Sequence, residues 1–152
     1  MAGTLRGMTI TPAILNLPII QGATFDEALE RSFFPYDTEW VCGQLVRADT
    51  GAPVDEADRV LEDYTGCSAE VQLRHPETNA LIKTLSTANS GIVLDAYTLR
   101  LLISHTDTAA LVYGETAPAW TYAVGHVEVT RADGTRERQY SITFPLNPEL
   151  TV

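Results

Sequence analysis

In the second half of the chain, apolar and polar residues alternate with the two-residue period of a half-buried strand. "CSAEVQLRHP" places Cys67, Ala69, Val71 and Leu73 on one face, with Ser68, Glu70, Gln72 and Arg74 on the other. "ALIKTLSTANSG" and "IVLDAYTLRLLIS" continue the pattern, divided by Asn89-Ser90-Gly91. "WTYAVGHVEVTR" alternates Tyr122, Val124, His126 and Glu128 with Ala123, Gly125, Val127 and Val129. "RQYSITFPL" returns with Tyr140, Ile142 and Phe144 on one face, until Asn147 and Pro148 stop the pairing. Asp133-Gly134 between these two runs is the strongest hairpin signal in the chain. One short helix is predicted over "HTDTAALVYG", with Thr106 as its N-cap.

The first half is less regular. Residues 1–20 predict an extended arm: Gly3, Gly7, Pro12 and Pro18 oppose a helix, while Ile10, Ile14, Leu15, Leu17, Ile19 and Ile20 are too apolar for a solvated tail. Gln21-Gly22 then reads as a bend into the first strand of the domain, Gly being there for backbone freedom. "ATFDEALERSFF" fits either period, since Phe25, Leu29 and Phe33 share a face in a helix and in a strand. "EWVCGQLVRADTGAPVD" predicts one strand, buried on much of both faces, followed by a turn at "ADTGAP". "VDEADRVLEDYTG" predicts a short helical turn or an irregular loop closed by Gly66.

Seven or eight short strands with turn signals between them predict an all-β, antiparallel sandwich or barrel. The division expected is an arm over residues 1–20 and one domain over 21–152. No internal repeat or low-complexity segment interrupts it.

Composition adds limits. The 152 residues suit one domain with a real core, 45% of them being apolar and 20% charged. Twenty acidic residues face ten basic ones, a net of −10, which disfavours nucleic acid and anionic membrane surfaces as partners. Residues 1–66 hold eleven acids and four bases, so the excess is concentrated there, around "VDEADRVLED". No apolar run approaches the roughly 20 residues that span a bilayer, and Pro12, Asn16 and Pro18 break what a secretion signal would need. Cys42 and Cys67 are the only cysteines and predict free, half-buried thiols of a reducing cytoplasm.

Candidate chemistry is sparse. His75, His105 and His126 fall in different elements, none with a second ligand at metal spacing. "SHTD" brings Ser104, His105 and Asp107 together in sequence, but a triad is assembled in space, and a strand exit with a helix cap accounts for these residues. The acidic run Asp55, Glu56, Asp58, Glu62 and Asp63 lacks the alternating oxygen pattern around a glycine that a calcium loop requires, which leaves a solvated loop. No phosphate-binding glycine loop or nucleophile elbow is present. We therefore expect no catalytic, cofactor-binding or metal-ligating residues, and a protein that is not an enzyme.

The order of "IIQGATF" (19–25), "DTGAPVD" (49–55), "YTGCSAEVQLR" (64–74), "NSGIVLD" (89–95), "DTAAL" (107–111) and "HVEVTRADGTRERQYSITFPLNPELT" (126–151) resembles a group of small bacteriophage structural proteins. These include the N-terminal domain of siphophage upper-baseplate proteins. The resemblance implies an immunoglobulin-like β-sandwich acting as a tail or baseplate adaptor in the virion, made in the bacterial host cytoplasm. "ERSFFPYDTEWVCGQLVRADTG" is longer than the strand and turn of that pattern, and is read as an insertion carrying an extra strand or a contact surface.

The expected partners are other virion proteins and copies of the chain itself, in a symmetric oligomer or larger assembly. The residues expected to make these contacts are Ile10, Ile14, Leu15, Leu17 and Ile19 in the arm, then Phe34, Tyr36 and Trp40 in the insertion. Two other roles fit the same features: a capsid-decorating or head–tail joining protein, and a carbohydrate-binding module at the virion surface.

Overall fold

A computed structural model describes residues 11–111 and 121–148. Most of them lie in strands arranged in several sheets, with one short helix and one 3-10 turn. The main sheet contains β1 (Ala13–Asn16), β13 (Arg136–Asn147), β12 (Tyr122–Thr130), β8 (Ser68–Arg74) and β9 (Leu81–Ser86), in that order, and β2 (Ile19–Ile20) also pairs with β13. A second sheet runs β10 (Ile92–Asp95), β11 (Thr98–Ile103), β3 (Phe25–Glu30). Two ribbons complete the set: β4 (Ser32–Phe33) with β7 (Val60–Leu61), and β5 (Thr38–Val41) with β6 (Gln44–Arg47).

The alternation in the second half becomes burial. Ala69, Val71 and Leu73 of β8, Ala123, Val127 and Val129 of β12, and Tyr140, Ile142, Phe144 and Leu146 of β13 all turn into one core. The second sheet contributes Phe25, Ile92, Leu99, Leu101 and Ile103 to the same cluster. Across it the Phe25 and Phe144 rings meet edge-on, with centroids 6.2 Å apart. The ambiguous "FDEALE" is thus a strand, because pairing with β11 puts Phe25 and Leu29 toward the core, a tertiary gain that local periodicity does not contain.

Three expectations are corrected. The arm is part of the main sheet, and it pairs in parallel with β13, Ala13 opposite Tyr140 and Ile19 opposite Leu146. That edge departs from the antiparallel pattern. Its pairing lapses between Asn16 and Ile19, where Pro18 stands, and the β13 residues left without an arm partner there are Phe144 and Pro145. Proline has no N–H to donate, so the two prolines fall together at the one break in the ladder.

Residues 38–47 are not one doubly buried strand but a hairpin, with Val41 opposite Gln44 and every residue of β5 exposed. Cys42 and Gly43 have φ of 50° and 78°, the pair of positive values that a type I′ turn demands. Finally, the helix α1 (His105–Ala109) is capped by Ser104, whose side chain accepts from the Asp107 N–H, and not by Thr106.

The Gln21-Gly22 bend is held by the end of α1. Thr108, fully buried, donates to the Ala23 carbonyl at 2.7 Å and accepts from the Gly22 N–H at 3.1 Å. The Gln21 amide donates to the Leu111 carbonyl at 2.6 Å. Gly22 has φ of 86°, so its conformational freedom is used to enter β3 rather than to cradle a ligand.

Gly125 marks a tight spot between strands. A Cβ there would lie 2.8 Å from Val71 Cγ2 and 2.9 Å from the Gln72 carbonyl oxygen, and backbone gives way poorly. Gly125→Ala is therefore expected to lower stability by about 1–3 kcal/mol through overpacking, measured as a fall in the urea midpoint with an unchanged slope.

Candidate protein-interaction surfaces

The expected contact residues separate into distinct groups. Ile19 is fully buried in the chain's own core, and Leu15 and Leu17 are half-buried against it. The alternation of a strand explains the split, since β1 turns Leu15 inward and Ile14 outward. Ile14 is 87% exposed and Ile20 57% exposed. Ile10 lies outside the described residues. Among the described residues of the arm, Leu15, Leu17 and Ile19 are thus used within the protein, and Ile14 and Ile20 remain on its surface.

In the insertion, the chain builds a stack below the β5–β6 hairpin. The Phe34 and Tyr36 rings lie nearly parallel, 5.8 Å apart. The Arg47 guanidinium sits 4.0 Å from the Tyr36 centroid, and that of Arg59 sits 4.4 Å from the Phe34 centroid. Each arginine is also held by a carboxylate. Arg47 donates two hydrogen bonds to Asp49, at 3.1 and 2.9 Å, and Arg59 donates to Glu56 at 2.5 Å. The Tyr36 hydroxyl donates to Asp58 at 2.7 Å. The Arg47 hydrogen bond holds the Asp49 carboxyl below the usual carboxylate range.

Phe34 and Tyr36 are therefore engaged inside the insertion, whereas Trp40 is not. It is 72% exposed on β5, beside Val41 at 47% and the free, exposed thiol of Cys42. A sugar platform needs exposed coplanar rings, and here guanidinium groups cover both stacked rings.

Where the insertion returns to the domain, a buried polar cluster ties it down. Glu62 has no exposed surface, yet it accepts hydrogen bonds from the Arg131 guanidinium and, at 2.8 Å, from the Gln139 amide. Arg131 also donates to Glu137 at 2.5 Å. The Tyr64 hydroxyl donates to Gln139 Oε1 at 2.8 Å. Burial opposes the Arg131 charge, but Glu137 and Glu62 outweigh it and raise its pKa above the usual value. Burial, reinforced by Tyr140, raises that of Tyr64. A charge at zero exposure is tolerable only with such partners. No sequence signal pointed to this cluster, because Glu62 and Arg131 are 69 residues apart.

The outer face of the main sheet carries a groove of about 620 Å³. Glu70, Arg74, Ser86, His126, Glu128 and Arg136 are among its lining residues. Glu70 stands directly opposite Glu128 across β8 and β12. Arg74 is anchored to the Gln72 side chain and, at 2.9 Å, to the Asn79 carbonyl. His126 Nδ1 lies 3.1 Å from Ser141 Oγ; burial first, then the nearby Arg138 charge, push its imidazole below the usual pKa.

The remaining histidines are apart from this groove. His75 is buried, its Nδ1 accepting from the N–H groups of Glu77 and Thr78, and His105 is exposed at the start of α1. Among the described residues, no three His, Cys, Asp or Glu side chains are grouped to hold a metal ion, and no helix is long and apolar enough to cross a membrane. Compared with models of protein families and with curated proteins, the sequence matches none.

Two expectations follow for stability. Ile19→Ala should cost about 2–5 kcal/mol by opening a cavity, while Ile14→Ala should stay within about 0.5 kcal/mol of the parent, both by urea unfolding. Arg131→Met strands the buried Glu62 charge and should cost about 3–5 kcal/mol, seen as an early thermal transition.

Proposed function

We propose that this chain is a bacteriophage virion structural protein, a tail or baseplate adaptor that acts by protein–protein assembly. Its scaffold on this reading is an immunoglobulin-like β-sandwich. The strand order supports that scaffold. Such sandwiches place strands D, E and B in one sheet and C′, C, F and G in the other. Here β10, β11 and β3 take the first set of places, and β9, β8, β12 and β13 take the second, in matching chain order. The insertion then falls between strands B and C, and the arm lies along strand G.

The observation that carries an assembly role is the projecting hairpin that displays Trp40 and Val41 to solvent. A two-stranded ribbon is marginal by itself in water, and this one rests on the arginine–aromatic stack beneath it. Tryptophan is the side chain most often dominant in protein interfaces. A chain that holds up an exposed tryptophan on a supported ribbon is built to be covered. The order of sequence motifs from residue 19 to residue 151 supports the bacteriophage setting.

Antibody against this chain, carried on gold, is expected to label the tail or its tip in whole virions of the source phage. Gold spread over the head would overturn the tail placement and make the chain a capsid-decorating protein. Absence of its peptides from digests of purified particles would overturn the virion role altogether.

A further inference from the structure

The β5–β6 hairpin is sealed along one edge and open along the other. Val41 and Gln44 close its two-residue turn as a hydrogen-bonded pair. Such pairs recur at every second residue, next at Glu39 with Val46, then at Asp37, whose carbonyl accepts from the Ala48 N–H at 2.9 Å. The backbone groups of Leu45 and Arg47 point to the far side of β6, where residues 52–54 meet them. There the Arg47 N–H donates to the Ala52 carbonyl at 2.8 Å, and the Val54 N–H donates to the Leu45 carbonyl at 3.2 Å. By the same alternation the N–H and C=O groups of Thr38 and Trp40 point away from β6, and no described residue pairs with them.

Folded proteins usually guard an open edge of this kind. Here β13 is covered by the arm, and β9, the last strand of the main sheet, carries Lys83, the chain's only lysine. β5 has no proline, no basic residue and no register shift, and all four of its residues are exposed. Its two faces differ in chemistry. Thr38 and Trp40 lie on one, and Asp37, Glu39 and Val41 on the other. Residues 37–63 hold eight acidic and two basic side chains, and both arginines are committed elsewhere, Arg47 to Asp49 and Arg59 to Glu56. The open edge is therefore apolar on one face and uncompensated negative on the other.

We infer that β5 accepts an extended strand of another protein along this edge. The added strand bonds the main-chain groups of Thr38 and Trp40, sets an apolar side chain beside Trp40, and sets arginine or lysine beside Asp37 and Glu39. A second β5 is a poor partner, because the antiparallel register that uses Thr38 and Trp40 of both copies sets Glu39 against Glu39. This inference rests on the reading that the chain works by assembly, and it adds the mode of contact and the chemistry of the partner strand.

An NMR titration of the whole chain tests it, with a capped octapeptide of alternating arginine and valine as the probe. The peptide is expected to slow hydrogen exchange at the Thr38 and Trp40 amides. The same peptide methylated at every backbone nitrogen keeps its charge but cannot pair, and is expected to leave both amides unprotected. Thr38→Pro removes one outward N–H and leaves the ladder with β6 whole, so it should weaken binding roughly three- to tenfold. Glu39→Arg should shift the preference to a peptide of alternating glutamate and valine. Both positions are exposed, and circular dichroism confirms that each variant folds. Absence of binding, equal binding of the methylated peptide, or protection confined to amides other than Thr38 and Trp40 would overturn the inference. None of these results bears on the virion role, which the labelling of particles decides separately.

Discussion

β13 is hydrogen-bonded along both edges, and the rest of the structure is arranged around that constraint. Nine of its twelve residues, 136–138 and 140–145, are in register with β12, and residues 140–143 and 146–147 are in register with the arm. Four side chains, Tyr140, Ile142, Phe144 and Leu146, point from it into the core, where Phe144 meets Phe25 of the second sheet. A strand placed this way has no exposed edge along its paired length, and it converts the apolar arm from a liability into a cover. The prolines at 18 and 145 are tolerated because they sit where that cover is interrupted.

A second fixed point lies at the turn end of β12 and β13. Arg131, Glu137 and Gln139 form the socket into which Glu62 and Tyr64 are inserted as the long excursion from β3 returns. Buried ion pairs contribute little net stability compared with apolar packing, but they tolerate no substitute geometry. This socket therefore specifies where the insertion ends more than it strengthens the fold. The insertion between β3 and that socket carries the hairpin and the stack that supports it.

The surfaces divide the same way. Side chains that the arm and the stack hold internally, such as Leu15, Ile19, Phe34 and Tyr36, give the scaffold and the hairpin their shape. Others, such as Ile14, Ile20, Trp40 and Val41, stay exposed among the described residues.

Strands with one buried face were legible from the sequence, because the pleat forces a period of two wherever a single face is covered. β8, β12 and β13 show that period residue by residue, and Asp133-Gly134 marked the reversal between the last two. The helix was placed from local signals too, but it ends at Ala109, its cap is Ser104 rather than Thr106, and residues 112–114 of the expected span lie outside the described residues. Elements whose residues are chosen by distant partners were not legible. The arm's apolar residues announced that something must cover them, but only the parallel register with β13 decides that Ile19 is core and Ile14 is surface. Trp40 to Arg47 alternates like a buried strand, yet the positive φ of Cys42 and Gly43 folds it into an exposed ribbon. Glu62 read as one acid in a solvated run, and its burial depends on an arginine 69 residues away. Sequence by itself determined the all-β class, the alternating faces and the acidic first half, since these follow from local sterics and composition. Tertiary structure alone decided which apolar residues stay uncovered, because that depends on which surfaces long-range pairing has already used.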